Sequence, residues 1–235
     1  MVEQKKSNGL EKLVNGSVEK IGTNTIEYGF DDTLSRGISY IGNLPNKLWF
    51  LSNEMGNYPR QKTQEYITNY VNESGLENTT VRVGHSAIFE DLKRLKESED
   101  VKKMSPFSKF MYLAYAGTVT VIGGVACKLT RSDNYNPFTK TAVIYSNSPA
   151  IAIHELAHAK DYQSKKHPVA YHLSRFLYPF LFYQEGKASI NAHNYIKSED
   201  KEEKTGRYLI PSFLSYVANF LFGVISAPKM SLGLA

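Results

Sequence analysis

His154, Glu155 and His158 stand in the order H-E-x-x-H. On an α-helix, side chains four residues apart lie on one face, so both imidazoles can reach one metal ion. Glu155 follows the first imidazole directly and can approach a metal-bound water from the side. Two ligands and a proton acceptor so close together suit hydrolysis by zinc. Zn²⁺ lowers the pKa of bound water to about 7 and polarises a carbonyl.

The segment around these residues predicts the helix they require. Ser148 is a good N-cap and Pro149 suits the first helical position. Ile151, Ala152, Ile153, Leu156, Ala157 and Ala159 then make the helix apolar around most of its circumference, the pattern of a buried helix. Histidines and a glutamate are costly in such a place without partners. A zinc ion would supply one; hydrogen bonds inside an ordinary core helix are the alternative.

A catalytic zinc takes three protein ligands and leaves one position for water. The metzincin spacing would place Gly and His where Asp161 and Ser164 stand, which excludes that subclass. His167, His172, Glu185, His193, Glu199 and Asp200 remain. His167 precedes Pro168, where a helix tends to end. Glu199 and Asp200 belong to a solvated charged run. Glu185 is the best choice. With Ala188, Ser189 and Ala192 it forms one helical stripe, and small neighbours let two helices approach closely. His193 is the other possibility, or it faces the substrate. A second donor should stabilise the oxyanion; Tyr183, His193 and Tyr195 are candidates, and each could equally be a packing residue. Asp161, one turn beyond His158, could accept a hydrogen bond from a ligand imidazole, or pair with Lys160 or Lys165 instead. His85, beside a strand end, could line the cleft but more simply completes a turn.

Two helices contributing two histidines and a glutamate resemble the gluzincin branch of zinc metallopeptidases. The run Asn134-Tyr135-Asn136-Pro137-Phe138-Thr139, then Thr141-Ala142-Val143-Ile144-Tyr145-Ser146, then His154 to Asp161, also resembles a family of uncharacterised H-E-x-x-H proteins. There a turn leads through a strand into the metal helix. The resemblance covers about residues 130 to 220. It implies a zincin-like fold, zinc binding and a protease-like site with His154, His158 and Glu185 as ligands and Glu155 as base. It names no substrate. It also implies that the strand over 141–145 is the edge strand that pairs with an extended peptide, since an unpaired edge offers backbone groups to any extended chain; a core strand is the other reading.

The elements that must hold these residues read as an α+β fold, helix-rich, with a small sheet against the metal helix. Residues 1–35 are polar and turn-rich and predict a poorly ordered arm; residues 36–235 predict a single catalytic domain ending in an apolar helix. Helical patterns occupy 44–55, 61–71 and 87–96, a strand 81–83, and Ser105-Pro106 opens a further helix. Val119 to Ala126 fits a strand or a buried helix.

Composition sets the outer bounds. Of 235 residues 42% are hydrophobic, enough for a substantial core. One cysteine excludes an internal disulfide and a cysteine zinc site, and fits a reducing, cytoplasmic compartment. The first residues lack the apolar core of a secretory signal. The net charge of +5 is mild, and its lysines are mixed with acids, which argues against nucleic acid as partner. Met111 to Cys127 and Tyr208 to Pro228 carry no charge. The second is long enough to span a bilayer, but Pro211, Asn219 and Gly223 interrupt it, and Gly117, Thr118, Thr120, Gly123 and Gly124 interrupt the first. Those residues favour strands or buried helices over lipid-facing ones, with membrane contact through 208–228 as the alternative. Three functions therefore compete: a zinc metallopeptidase acting on a peptide or protein substrate, the same enzyme bound to a membrane, and an inactive metal-binding scaffold. Oligomeric state is not legible.

Overall fold

The computed structural model describes residues 17–29, 60–166, 168–200, 205 and 209. They form an α+β fold. In chain order the elements are β1 (Val18–Ile21), β2 (Asn24–Tyr28), α1 (Arg60–Glu73), β3 (Thr80–Val83), α2 (Ile88–Glu97), α3 (Glu99–Lys102), α4 (Pro106–Thr130), β4 (Asn134–Asn136) and β5 (Thr141–Ile144). Then follow α5 (Pro149–Gln163), α6 (Pro168–Leu173), a 3₁₀ turn (Ser174–Phe176) and α7 (Tyr178–Glu199).

The strands make one mixed sheet in the order β1-β2-β3-β5-β4. The two outer pairs are antiparallel and the two inner pairs parallel. Ile26, Val81 and Ala142 stand in register, as do Tyr28, Val83 and Ile144. These side chains share one face, because strand side chains alternate. They are buried with Ile67, Tyr70 and Val71 of α1, Ile153 and Leu156 of α5, and Ala192 and Ile196 of α7. Each fully buried Ile or Leu of this cluster contributes about 1.5–3 kcal/mol.

The opposite face carries Glu27, Arg82 and Val143 in register. Arg82 is 1% exposed. Its guanidinium donates to Glu27 at 2.7 Å and to Asp91 and Glu90 of α2 at 2.5 and 3.1 Å. The Thr141 hydroxyl donates to the same Asp91 carboxylate at 2.9 Å. Helix α2 thus docks on the sheet through charge, and α4 packs outside it.

Three expectations change. Residues 17–29, read as part of a polar arm, form a hairpin that extends the sheet; Gly22 turns it with a positive φ of 59°. Their alternation of buried Asn24, Ile26 and Tyr28 with half-buried Thr25 and Glu27 is a strand pattern, short enough to be taken for loop. The strand over 141–144 is not an edge strand: β3 and β4 occupy both of its sides. Met111 to Cys127 lies within one continuous helix, α4, of which one face stays outside the core. The rest of the arm, the helical pattern at 44–55, and all but residue 209 of the apolar run at 208–228 fall outside the described residues.

Candidate metal centre

Helix α5 begins as its residues require. Pro149 sits in the first turn, where a missing N–H is harmless. Ser148 occupies the N-cap position, but its hydroxyl makes no cap bond. The preceding loop is held from outside. The Asp133 carboxylate accepts from the backbone N–H groups of Tyr145 and Ser146 at 2.6 and 2.9 Å, and from the Ser146 hydroxyl. On α5 nearly every residue from Ala150 to Tyr162 is buried.

Helix α7 lies along α5. Glu185, Ala188 and Ala192 are buried between the two, so the small residues bring the Glu185 carboxylate to the imidazoles. His154 Nε2 and His158 Nε2 are 3.1 Å apart. Glu185 Oε2 lies 3.2 Å from the first and 3.4 Å from the second. Four-coordinate zinc with ligands at about 2.0–2.1 Å has ligand–ligand edges of about 3.3–3.4 Å. The three donor atoms therefore stand at the separations of one face of such a tetrahedron. Among the described residues no fourth His, Cys, Asp or Glu joins the cluster.

The electrostatics match a cation site. Burial alone would push the Glu185 carboxyl up, but hydrogen bonds to both imidazoles and the Arg175 charge hold it well below the carboxylate range. Burial would lower His154, yet Glu185 and Glu155 raise it overall; for His158 burial wins and its pKa falls. Two imidazole nitrogens 3.1 Å apart can share one proton or one metal ion. Loss of hydration, with the Glu185 and Asp133 charges adding to it, pushes half-buried Glu155 up to about 7. A cation on the three donors would draw it down again, because a nearby positive charge offsets that of Glu185 and favours the ionised carboxylate.

Two further side chains contact the candidate ligands. Ser189 Oγ lies 3.2 Å from His154 Nδ1, fixing the ring so that Nε2 faces the cluster. Arg175, in the 3₁₀ turn, donates to Glu185 Oε1, which leaves Oε2 for the imidazoles. Neither residue was singled out from sequence for this role. Arg175 had a signal, a lone cation inside the aromatic run Leu173 to Tyr183; Ser189 read only as a small residue on a stripe; Asp133 had none.

The other expected site residues lie elsewhere. The Asp161 carboxylate takes Tyr171 and Lys187, with Lys165 at 3.1 Å, and so ties α5 to α6 and α7 rather than orienting an imidazole. His193 is exposed and its Nδ1 meets the Thr205 hydroxyl. Tyr183 is exposed. Tyr195 packs its ring edge-on against Tyr70 of α1, 4.8 Å between centroids. His172 meets Phe138 edge-on and the Tyr162 hydroxyl through Nδ1. His85 lies 3.5 Å from Glu27, in the charged network under the sheet. His167 falls outside the described residues.

Set against protein-family models, curated proteins and solved structures, the chain matches none of them. The reading of the site therefore rests on its own residues.

Proposed function

We propose that this chain is a zinc-dependent metallopeptidase. One observation carries the reading: three buried donor atoms, His154 Nε2, His158 Nε2 and Glu185 Oε2, lie 3.1 to 3.4 Å from one another with a carboxylate next in sequence to the first. The donor set of two imidazoles and one carboxylate fits Zn²⁺, and three protein ligands with an open corner is the catalytic pattern rather than the structural one. Bound there, zinc supplies a water nucleophile at neutral pH and polarises the scissile carbonyl.

The protein's own residues do the remainder. Glu155 takes the proton of the attacking water and returns it to the departing amine. Ser189 holds the His154 ring, and Arg175 holds the Glu185 carboxylate so that one oxygen faces inward. Arg175 also places a positive charge beside the site, where negative charge develops on the substrate carbonyl. With β5 enclosed, the edge strand we assign to align an extended peptide is β4, which packs on α5; the other described edge, β1, lies at the far side of the sheet.

Elemental analysis of the purified chain tests the metal. One zinc per wild-type chain and none in His154→Ala are expected. Hydrolysis of a diverse peptide library tests the reaction. Zinc binding with no turnover on any peptide would reduce the site to a structural one and overturn the enzymatic reading.

A further inference from the structure

We infer that α4 is a membrane-docking helix that lies in the plane of an anionic bilayer surface. The observation is the face that the helix turns away from the domain. Phe107, Phe110, Met111, Ala114, Thr118, Val121, Ile122, Val125 and Leu129 recur at three- and four-residue intervals, and all are exposed. Phe107 is 76% exposed, Phe110 67% and Ile122 65%. At 1.5 Å per residue the stripe is about 33 Å long, far larger than the scattered apolar residues of an ordinary soluble surface. Only 17% of the most apolar 18-residue stretch of the helix is buried.

The single polar residue of the stripe is already satisfied. Thr118 donates its hydroxyl to the Ala114 carbonyl at 2.7 Å, so the face presents apolar surface to lipid without an unmet hydrogen bond. Lysines bracket it: Lys109 lies near one end and Lys128 near the other, with no charged residue between them. Basic ends and a net charge of +5 suit anionic headgroups.

The inner face decides between lying on a bilayer and crossing it. At mid-helix Leu92 packs on Gly117, and Ile88 packs so closely on Gly124 that an added Cβ would meet it at 2.6 Å. Both come from α2, which also carries Glu90, Asp91, Lys93 and Arg94. A helix bound along its middle to so charged a neighbour cannot be surrounded by hydrocarbon. It can dip its outer face into the interface. The α6–α7 corner adjoins α4. Tyr115 of α4 contacts His172, 6.2 Å between ring centroids, and next to His172 come exposed Leu173, Leu177 and Phe180. The corner also carries Arg175, which reaches Glu185.

The test is flotation of the full chain with phosphatidylcholine vesicles, with or without 30% phosphatidylserine. It compares wild type with the double variant Phe110→Asp/Ile122→Asp, whose sites are exposed and whose fold is checked by circular dichroism. Wild type should float with the phosphatidylserine vesicles, and the double variant should bind at least tenfold more weakly. Wild type staying with the protein fraction on both vesicles overturns the inference, as does equal flotation of the double variant, which would place the anchor elsewhere. A wild-type dimer that the double variant breaks, without flotation, would assign the face to a second copy of the chain and also overturn it. Flotation involves neither metal nor turnover, so its failure is distinct from failure of the peptidase reading.

Discussion

Glu155, Ser189 and Arg175 stand at different distances from the proposed chemistry, and their substitutions should separate accordingly. Glu155→Gln keeps size and hydrogen bonding but removes the proton acceptor. It should retain one zinc per chain and lose peptide hydrolysis by about 10²–10⁴-fold; hydrolysis at the wild-type rate would remove Glu155 from that role. Ser189→Ala releases the His154 ring, and loss of such a partner weakens metal affinity by about 10–100-fold. A competition titration against a chromophoric chelator measures it, and an unchanged affinity would show that helix packing alone fixes the imidazole. At this scale much of the candidate site was legible. The four-residue spacing of His154 and His158 needs only the geometry of a helix, and Glu185 announced itself by its small neighbours Ala188 and Ala192. The contacts of Arg175 with Glu185 and of Ser189 with His154 were not legible, because the partners lie 10 and 35 positions away and no local pattern encodes that distance.

The strands and helices differ in how far they could be read. Ser105-Pro106 marks a helix start by local capping, and Ser105 does accept from the Ser108 N–H at 3.3 Å. The apolar run of β5 marks a strand but not its neighbours; strand order is set by pairings across the chain, so β4 could close off β5 unannounced. The charged face of the sheet was equally hidden, since Arg82 between Val81 and Val83 reads as an outward residue of a half-exposed strand. Its removal should be severe. Arg82→Ala would leave the Glu27 and Asp91 carboxylates beneath α2 without their cation, and breaking a buried pair in this way costs about 3–5 kcal/mol, readable as a fall in the urea midpoint. Acid should act on the same network. The hydrogen bond from His85, and then the Arg82 charge, hold the Glu27 carboxyl down to about 2 from an ordinary 4.5. Its folded pKa lies below the unfolded one, so its stabilisation is complete above about pH 4.5 and is lost as pH falls toward 2. Wild type should therefore lose thermal stability more steeply across that window than Glu27→Gln; parallel curves would show that Glu27 is not the sensor.

On the scale of the whole molecule, α5 is both the centre of the core and the carrier of two candidate ligands, His154 and His158. Sheet, α1 and α7 all pack on it, so a metal held between α5 and α7 binds the native state and not the unfolded chain. Anything that does so stabilises by mass action, about 2.7 kcal/mol when free ligand is a hundred times its dissociation constant. For a chain of this size each kcal/mol moves the melting temperature by about 2–4 °C. Dialysis against a chelator should thus lower Tm by about 5–10 °C, and one equivalent of zinc should restore it. Without the cation, the Glu185 charge must be met by Arg175 and a proton on the imidazoles, which leaves two ring nitrogens competing over 3.1 Å. His154→Ala removes one donor, so its Tm should be the same before and after chelation. A wild-type Tm equally indifferent to chelator and to added zinc would mean that the three donors hold only protons, and the peptidase reading would fall with them.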